Sequence, residues 1–208
     1  MKGNSMKSSP EEITPILGTA MGGGYYAGRI LIDGQAYALI VAPKAEGERE
    51  DIEWIDNLKS VPDANSYHDG MANTRAMAVA GSQLAQWARD LRIAGADDWY
   101  LPSQDELEII YRNLKPGTRQ NYCYARSGIN LSAVTPTRPY TPEHPVQTCA
   151  EAFQLGAPEA FELGWYWSST QHAADSDSAW AQFFHHGLQD GISASYQFRA
   201  RSVRRLAI

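Results

Sequence analysis

The chain has 208 residues, of which 43% are hydrophobic and 20% charged, and its formal net charge at pH 7 is −6. This length is typical of one domain with large loops or extensions. The acidic balance argues against a nucleic-acid partner, and the absence of an apolar run of transmembrane length argues against membrane insertion.

The N-terminal stretch, residues 1–15, is polar and contains serine and proline. We expect it to form a flexible arm, with residues 16–208 forming a single domain. The lysines of this stretch are not followed by the apolar segment that a secretory signal peptide requires. We therefore expect a protein that is made in the cytoplasm without a signal peptide.

The first regular element is predicted around Asp33 and Gly34. β-rich runs at residues 29–32 and 37–41 flank this pair, and Asp-Gly between two such runs is a strong signal for a β-hairpin. The glycines at 22–24 precede a strand, whereas a phosphate-binding loop is followed by a helix. We interpret these glycines as sites of close packing.

Two helices are predicted in the middle of the chain. Between Asn73 and Arg92 the apolar residues recur at spacings of four, four, three and four, which indicates one helix ending near Gly95. The second helix is predicted to begin at Ser103, because Ser103 and Glu106 have the spacing of a capping box. Its predicted buried stripe consists of Leu107, Ile110, Tyr111 and Leu114.

Residues 117–160 are rich in proline and lack periodicity, which predicts a long loop. Cys123 and Cys149 lie within it, and either a disulfide or two free thiols is compatible with their number. A metal site is not expected, because His144 is the sole histidine near these cysteines in the sequence.

The C-terminal part is predicted to form three or four short strands. Their sequences lie at residues 165–170, 179–184 and 192–208, separated by polar turns. Because side chains alternate along a strand, Tyr166 should point away from the face that carries Trp165 and Trp167. The C-terminal segment contains four arginines, Arg199, Arg201, Arg204 and Arg205. We interpret them as part of a strand edge, and a phosphate-binding site is the less favoured interpretation.

Two segments of this sequence resemble a known family. Residues 97–111, DDWYLPSQDELEIIY, are similar to a W-R-L-P-[ST]-x-x-E-L signature, and YWSST at 166–170, followed by AWAQFF and RARSVRR, is similar to the family's C-terminal pattern. Both segments are typical of the Lcl C-terminal domain family, named after a bacterial collagen-like adhesin and also found in phage tail proteins. The resemblance implies an α+β, C-type-lectin-like fold with two helices and a terminal antiparallel sheet.

The resemblance also implies structural roles. Where the family pattern has arginine this chain has Tyr100, so we expect the local pairing of that arginine to be lost. The three consecutive aromatic residues at 165–167 would be mainly structural, since large aromatic faces stabilise a core. The expected core residues are Trp99, Leu101, Leu107, Trp165, Trp167 and Trp180.

A recognition surface is predicted between residues 171 and 198, where short polar side chains accompany aromatic ones. The alternative interpretation is an ordinary solvent-facing set of strands and turns. Together with Tyr166, which we weigh as either core or ligand platform, the candidate ligand-binding residues are Tyr166, His172, Asp175, Asp177, His185, His186, Gln189, Ser195 and Tyr196.

No enzyme motif is found. The histidines belong to no paired catalytic motif, and the carboxylates at the start of the second helix suit the helix dipole. Formylglycine-generating enzymes, a related branch of the fold, need a cysteine pair near the C-terminal sheet, whereas Cys123 and Cys149 precede it. The calcium-dependent sugar motif with W-N-D is missing as well, so we expect no catalytic residue, no cofactor and no metal.

The sequence thus predicts a non-enzymatic binding protein. The resemblance favours a phage or prophage tail-fibre or receptor-binding component, located in the virion tail, that contacts a host-cell surface receptor, glycan or protein, through its C-terminal face. Its other partners would be phage tail proteins, and a homotrimer is one arrangement open to it. A bacterial surface adhesin domain is the alternative, and a formylglycine-generating-like oxidase is a more distant one.

Overall fold

The computed structural model describes residues 15–56, 60–123 and 130–208, and these form a mixed α+β structure. Apart from residue 15, the expected N-terminal arm lies outside the described residues. The helices are α1 (Lys44–Gly47), α2 (Gly70–Ala80), α3 (Gln83–Asp90) and α4 (Gln104–Leu114). The strands are β1 (Ala20–Met21), β2 (Gly24–Ile32), β3 (Gln35–Val41), β4 (Glu48–Glu53), β5 (Ala133–Val134), β6 (Trp165–Gln171), β7 (Ser178–Phe183), β8 (Gln189–Ser193), β9 (Gln197–Arg201) and β10 (Val203–Ala207).

The first sheet contains the predicted hairpin. Its strands run in the order β1-β2-β3-β10, with β5 also paired to β2. In the turn between β2 and β3, Asp33 and Gly34 have φ values of 49° and 82°. Two consecutive positive φ angles are the requirement of a type I′ turn, which confirms the hairpin at the expected pair.

The second sheet has the order β4-β9-β6-β7-β8. Neighbouring strands are antiparallel except β6 and β9, which are parallel. The predicted C-terminal strands therefore form, but the sheet also takes in β4 from the first third of the chain. The last strand, β10, leaves it and pairs with β3 in the first sheet.

The prediction of one helix from Asn73 to Arg92 was wrong, because two helices occupy this range. Gly81 ends α2 in the left-handed conformation, with φ 100°. Ser82 then begins α3, since its hydroxyl accepts a hydrogen bond from Ala85 N and donates one of 2.7 Å to the carbonyl of Trp54. The apolar spacing continues through the break, which is why periodicity alone does not reveal it.

The helix α4 begins as predicted, with both hydrogen bonds of the Ser103–Glu106 capping box present. All eleven of its residues are buried, because it contacts β2 of the first sheet and β6 and β7 of the second. Its acidic side chains are therefore internal rather than solvent-facing. The hydroxyl of Ser132 donates to Asp105, and Arg112 forms an ion pair with Glu108.

The long loop is anchored by the side chain of Lys115. In its described parts, 117–123 and 130–160, regular structure is limited to β5 and a 3₁₀ turn at Glu151–Phe153. The Lys115 ammonium donates to Asn121 Oδ1 at 2.7 Å and to the carbonyls of Pro145 and Arg119. Burial lowers the pKa of Lys115 to about 8. Cys123 and Cys149 are both free thiols in the structure.

The expected core is only partly buried. Trp99, Leu101, Leu107 and Trp167 are buried, whereas Trp165 and Trp180 are partly exposed. Trp165 packs against the edge of a buried cluster that contains Trp167, and the Trp180 ring lies 5.1 Å from that of His172. Tyr166 is in a different hydrophobic cluster from Trp167, in keeping with the alternation along β6.

The four C-terminal arginines are engaged in ion pairs. Arg201 is fully buried, and its guanidinium contacts the carboxylate of Glu159 and lies 4.8 Å from the ring centroid of Phe161. Arg204 pairs with Asp98 at 2.8 Å and Arg205 with Asp69 at 2.9 Å. Arg199 pairs with Glu50 at 3.2 Å. These contacts give the arginines a structural role and leave the phosphate interpretation without support.

Candidate functional site

The candidate ligand-binding residues do not form one patch. His172, Asp175 and Asp177 lie in the turn between β6 and β7, whereas His185 and His186 lie in the turn between β7 and β8. These turns are at opposite ends of β7, since Ser178 pairs with Ser193 at one end and Gln182 with Gln189 at the other. Only part of the predicted surface is therefore available to a single ligand.

Two of the candidates are internal, and their assignment to a ligand-contacting surface is corrected. Tyr166 is fully buried, with its hydroxyl accepting from Glu162 N at 2.9 Å and donating to Glu48 at 3.2 Å. Burial, and the nearby carboxylate of Glu48, raise the pKa of Tyr166. Gln189 is 2% exposed and exchanges hydrogen bonds with Gln104 of α4.

Hydrogen bonds within the turn between β6 and β7 hold the carboxylate of Asp175, whereas Nδ1 of His172 is buried without a hydrogen-bond partner among the described residues. Asp175 accepts hydrogen bonds from Ser178 Oγ at 2.7 Å and Asp177 N at 3.1 Å, and these hydrogen bonds lower its pKa. His172 packs at 5.1 Å from the ring of Trp180. At the end of β8, Ser193 and Ser195 share a hydrogen bond of 3.0 Å. These contacts shape the turn and the end of β8.

A continuous band of exposed and partly exposed rings crosses the second sheet. Each ring lies within 6 Å of the next, from the start of β9 over β6 and β7 to the loop before residue 124. We call it the aromatic strip, and its members are Tyr196, Phe198, Trp165, Phe183, His185, His186 and Tyr122.

The centre of the aromatic strip is Trp165. Its ring is stacked on Phe198 at 5.8 Å with an interplanar angle of 20°, and it lies 5.1 Å from Phe183 at 31°. Trp165 and Phe183 are directly paired residues of β6 and β7, so their side chains share a face of the sheet. On the same face of β6, the buried Trp167 contacts Phe198 at 4.7 Å and donates its indole N–H to Ile52 O. The position of the strip is therefore fixed by strand pairing and core packing.

The ends of the aromatic strip are the most exposed. Tyr196 is 58% exposed and Tyr122 is 46% exposed. The Tyr122 ring lies 5.5 Å from that of His186, and its backbone N–H donates to His186 O at 2.8 Å. Burial, followed by the charges of His185 and two nearby cations, lowers the pKa of His186. The lowered pKa favours the neutral imidazole of His186, whose ring adds to the strip.

Sequence reasoning found Tyr196, His185 and His186 of this strip. It placed Trp165 in the core and did not select Phe183, Phe198 or Tyr122. The alternation of β6 and β7 could have identified Phe183 as a neighbour of Trp165, but the pairing register is not visible in one sequence. Tyr122 joins the strip through a loop contact that no local pattern indicates.

Neither a metal site nor a membrane-spanning helix is found among the described residues. Among residues 15–56, 60–123 and 130–208, no group of three or more His, Cys, Asp or Glu side chains is arranged to hold a metal ion. In the same part of the chain, none of the helices combines the length and the apolar character needed to cross a membrane.

Comparison with known proteins gives one family match. Residues 48–204 match the family model described as the Lcl C-terminal domain, and this range includes the whole aromatic strip. No curated protein is significantly similar to the chain. Among solved structures, a fimbrial protein from Bacteroides ovatus ATCC 8483 is similar with a TM-score of 0.44 and 10% sequence identity. The match covers 80% of this chain and 35% of the fimbrial protein, so the chain spans about a third of that relative.

Proposed function

The chain belongs to the Lcl C-terminal domain family, and from that premise we propose that it is a non-enzymatic, adhesin-type binding protein whose aromatic strip contacts a receptor on a cell surface. The observation that carries this proposal is the strip itself, a row of rings that a fixed sheet presents to solvent. The receptor is a glycan or a protein, because both offer flat apolar faces and hydrogen-bonding groups to such a surface.

Aromatic side chains suit recognition for a physical reason. They supply a large contact area while losing the freedom of only two side-chain torsions, so little entropy is lost on binding. In protein interfaces tyrosine and tryptophan dominate the binding energy for the same reason. The strip adds polar tips to this area through the Tyr196 and Tyr122 hydroxyls and the imidazoles of His185 and His186.

The most concrete form of the proposal is a phage or prophage tail-fibre or receptor-binding component. In that role the protein would be located in the virion tail, bind other tail proteins and contact the host, and it would adopt the C-type-lectin-like fold implied by the sequence resemblance. A homotrimer is one arrangement open to such a component. The support for this version is the occurrence of the family in phage tail proteins, and a bacterial surface adhesin would use the strip in the same way.

The test is binding of the purified full chain to whole bacteria. A Tyr196→Ala, His185→Ala double variant removes one exposed ring and one partly exposed ring, and we expect its affinity to fall by about tenfold or more, as for hot-spot side chains. The matched control is Tyr67→Ala, because Tyr67 is 43% exposed and lies outside the strip. We expect EDTA to leave binding unchanged. Equal binding by the folded double variant and wild type would exclude the strip as the receptor site.

A second experiment separates the two versions. If the chain is a tail component, the purified protein should compete with adsorption of the phage that carries it, and Tyr196→Ala should compete less well. If it is a bacterial adhesin, an antibody against the chain should label the intact cells that produce it. Surface labelling without any phage competition would reject the tail version and retain the binding function.

A further inference from the structure

We propose that a cavity beside the C-terminal end of α4 binds a small monocarboxylate with an apolar body, such as a medium-chain fatty acid. The cavity has a volume of about 660 Å³, and none of its lining residues belongs to the aromatic strip. Its volume lies within the range of pockets that hold small molecules. It is a second site, independent of the receptor surface.

The cavity is formed by three separate parts of the chain. Residues 16–19 before β1 provide one wall, Arg112 and Asn113 of α4 provide the floor, and residues 136–152 of the long loop close the remaining sides. The floor is fixed, because Asn113 donates to Ala27 O at 2.7 Å and to Thr137 Oγ1 at 2.8 Å. A site assembled on such a floor is available without refolding.

Apolar groups make up much of the lining and its border. Leu17, Pro139 and Ala150 line the cavity, and two further apolar side chains of the lining are unusually exposed. Ile16 is 76% exposed and Val146 is 60% exposed. An apolar ligand body seated here would remove these surfaces from water, which is favourable in proportion to the area covered.

Basic side chains lie next to this apolar lining. Arg112 is buried and neutralised by Glu108, while its Nη1 donates to Arg138 O at 3.1 Å. The exposed side chains of Arg138 and His144 also line the cavity, and neither forms an ion pair within the described residues. The guanidinium charge of Arg138 contrasts with the formal net charge of −6 of the chain, and Glu151 also contributes to the lining.

This combination selects one ligand chemistry. The guanidinium fork of Arg138 matches the two oxygens of a carboxylate, and His144 is able to donate a further hydrogen bond. The apolar lining disfavours ligands with several charges or many hydroxyl groups, because these would lose water without gaining partners. A single carboxylate on an apolar body satisfies both parts of the cavity.

Cys149 allows occupancy of the cavity to be measured. It is exposed and lines the cavity, and Cys123 is the sole other cysteine of the chain. In a full-length Cys123→Ser variant, N-ethylmaleimide therefore reports on Cys149 alone. Decanoate at ten times its Kd should slow this labelling about tenfold, because the rate follows the free fraction of the protein. Decanol, which has the same apolar body without the charge, should protect far less.

Substitution of Arg138 and His144 completes the test. An Arg138→Ala, His144→Gln double variant should bind decanoate about tenfold more weakly, since it loses hydrogen bonds to a charged group. Arg92→Ala, which removes an exposed arginine outside the cavity, should bind like wild type. Calorimetric titration of decanoate into the wild-type chain checks the affinity without any cysteine change. Absence of protection and of calorimetric binding, or equal protection by decanol, would overturn the proposal.

Discussion

The hydroxyl of Tyr100 donates a hydrogen bond of 2.6 Å to the carboxylate of Glu106, and both side chains are buried. The other carboxylate oxygen of Glu106 accepts from the backbone N–H groups of Ser103 and Gly70. Where the family pattern has arginine, the sequence resemblance predicts that the pairing of that arginine is lost. Tyr100 supplies this hydrogen bond at the same position, and the guanidinium of Arg205 in β10 lies 5.8 Å from the Tyr100 ring centroid.

Tyr100→Phe should destabilise the protein by about 2 kcal/mol, because it leaves a buried carboxylate oxygen without its donor. Urea unfolding monitored by circular dichroism measures the change. Tyr67→Phe is the control, since Tyr67 is 43% exposed, and it should change stability by less than about 0.5 kcal/mol. A Tyr100→Phe variant as stable as this control would show that the hydrogen bond contributes nothing to the fold.

Glu106 should make stability depend on pH between its unfolded and folded pKa values. Burial raises the pKa of Glu106 to about 7 in the folded protein, although hydrogen bonds from Ser103 and Tyr100 and the charge of Arg205 oppose the rise. The folded state therefore binds more protons than the unfolded state above pH 4.5. The contribution of Glu106 to the free energy of unfolding is present at low pH and is lost as the pH rises through about 7. The loss amounts to at most about 3 kcal/mol.

Glu106→Gln should remove this dependence. The glutamine carbonyl is able to accept from Ser103 and Gly70, and its amide is able to donate to the Tyr100 hydroxyl, so each of these groups keeps a partner although the Tyr100 bond is reversed. The measurement is the difference in unfolding free energy between wild type and the variant at several pH values from about 4.5 to about 7.5, the range over which the two pKa values differ. A difference that stays constant with pH would mean that Glu106 titrates at its ordinary value.

Local sequence signals predicted the parts of the fold that depend on neighbouring residues. The Asp33-Gly34 turn and the Ser103 capping box both form, because each is determined by a few consecutive residues. The break at Gly81 was missed although its residues are local, since the apolar spacing continues across it. Counting apolar positions does not show that a glycine ends one helix when the apolar spacing continues into the next helix.

Long-range relationships could not be predicted from the sequence. The parallel pairing of Tyr166 with Arg199 sets β9 beside β6 and thereby brings Phe198 against Trp165. Nothing in either strand specifies that partner. The same holds for Gln189, whose polar side chain suggests exposure but is buried against Gln104. Sequence reasoning therefore selected Tyr196, His185 and His186 but missed the centre of the aromatic strip and its exposed member Tyr122.

Arg201→Ala should be strongly destabilising. Its guanidinium is fully buried, contacts the Glu159 carboxylate and lies 3.9 Å from that of Glu48. Removing one partner leaves a buried negative charge without compensation, which generally costs about 3–5 kcal/mol. Arg199→Ala is the matched control, because the Arg199 side chain is 29% exposed and its pair with Glu50 should contribute about 1 kcal/mol or less. Similar losses in the two variants, measured by urea unfolding, would contradict a special role for the buried arginine.

Gly187 should be required for the turn that carries His185 and His186. A Cβ at this position would lie 2.4 Å from Tyr111 Cε1 and 2.4 Å from the Tyr140 hydroxyl oxygen, and the residue has φ +83°. The Tyr140 hydroxyl also donates to the carbonyls of Tyr122 and His186. A clash here would therefore displace one end of the aromatic strip.

Gly34 is the control that separates this clash from backbone strain. It has a similar φ of +82°, but a methyl group added there would meet nothing within 4 Å. Gly34→Ala should cost about 1–2 kcal/mol, the strain of a left-handed alanine. Gly187→Ala should cost that amount plus about 1–3 kcal/mol for overpacking. It should also weaken binding to cells, whereas Gly34→Ala should not. If both variants lose the same stability and both still bind cells, the tyrosines yield to the added methyl group, and the position of the strip does not depend on Gly187.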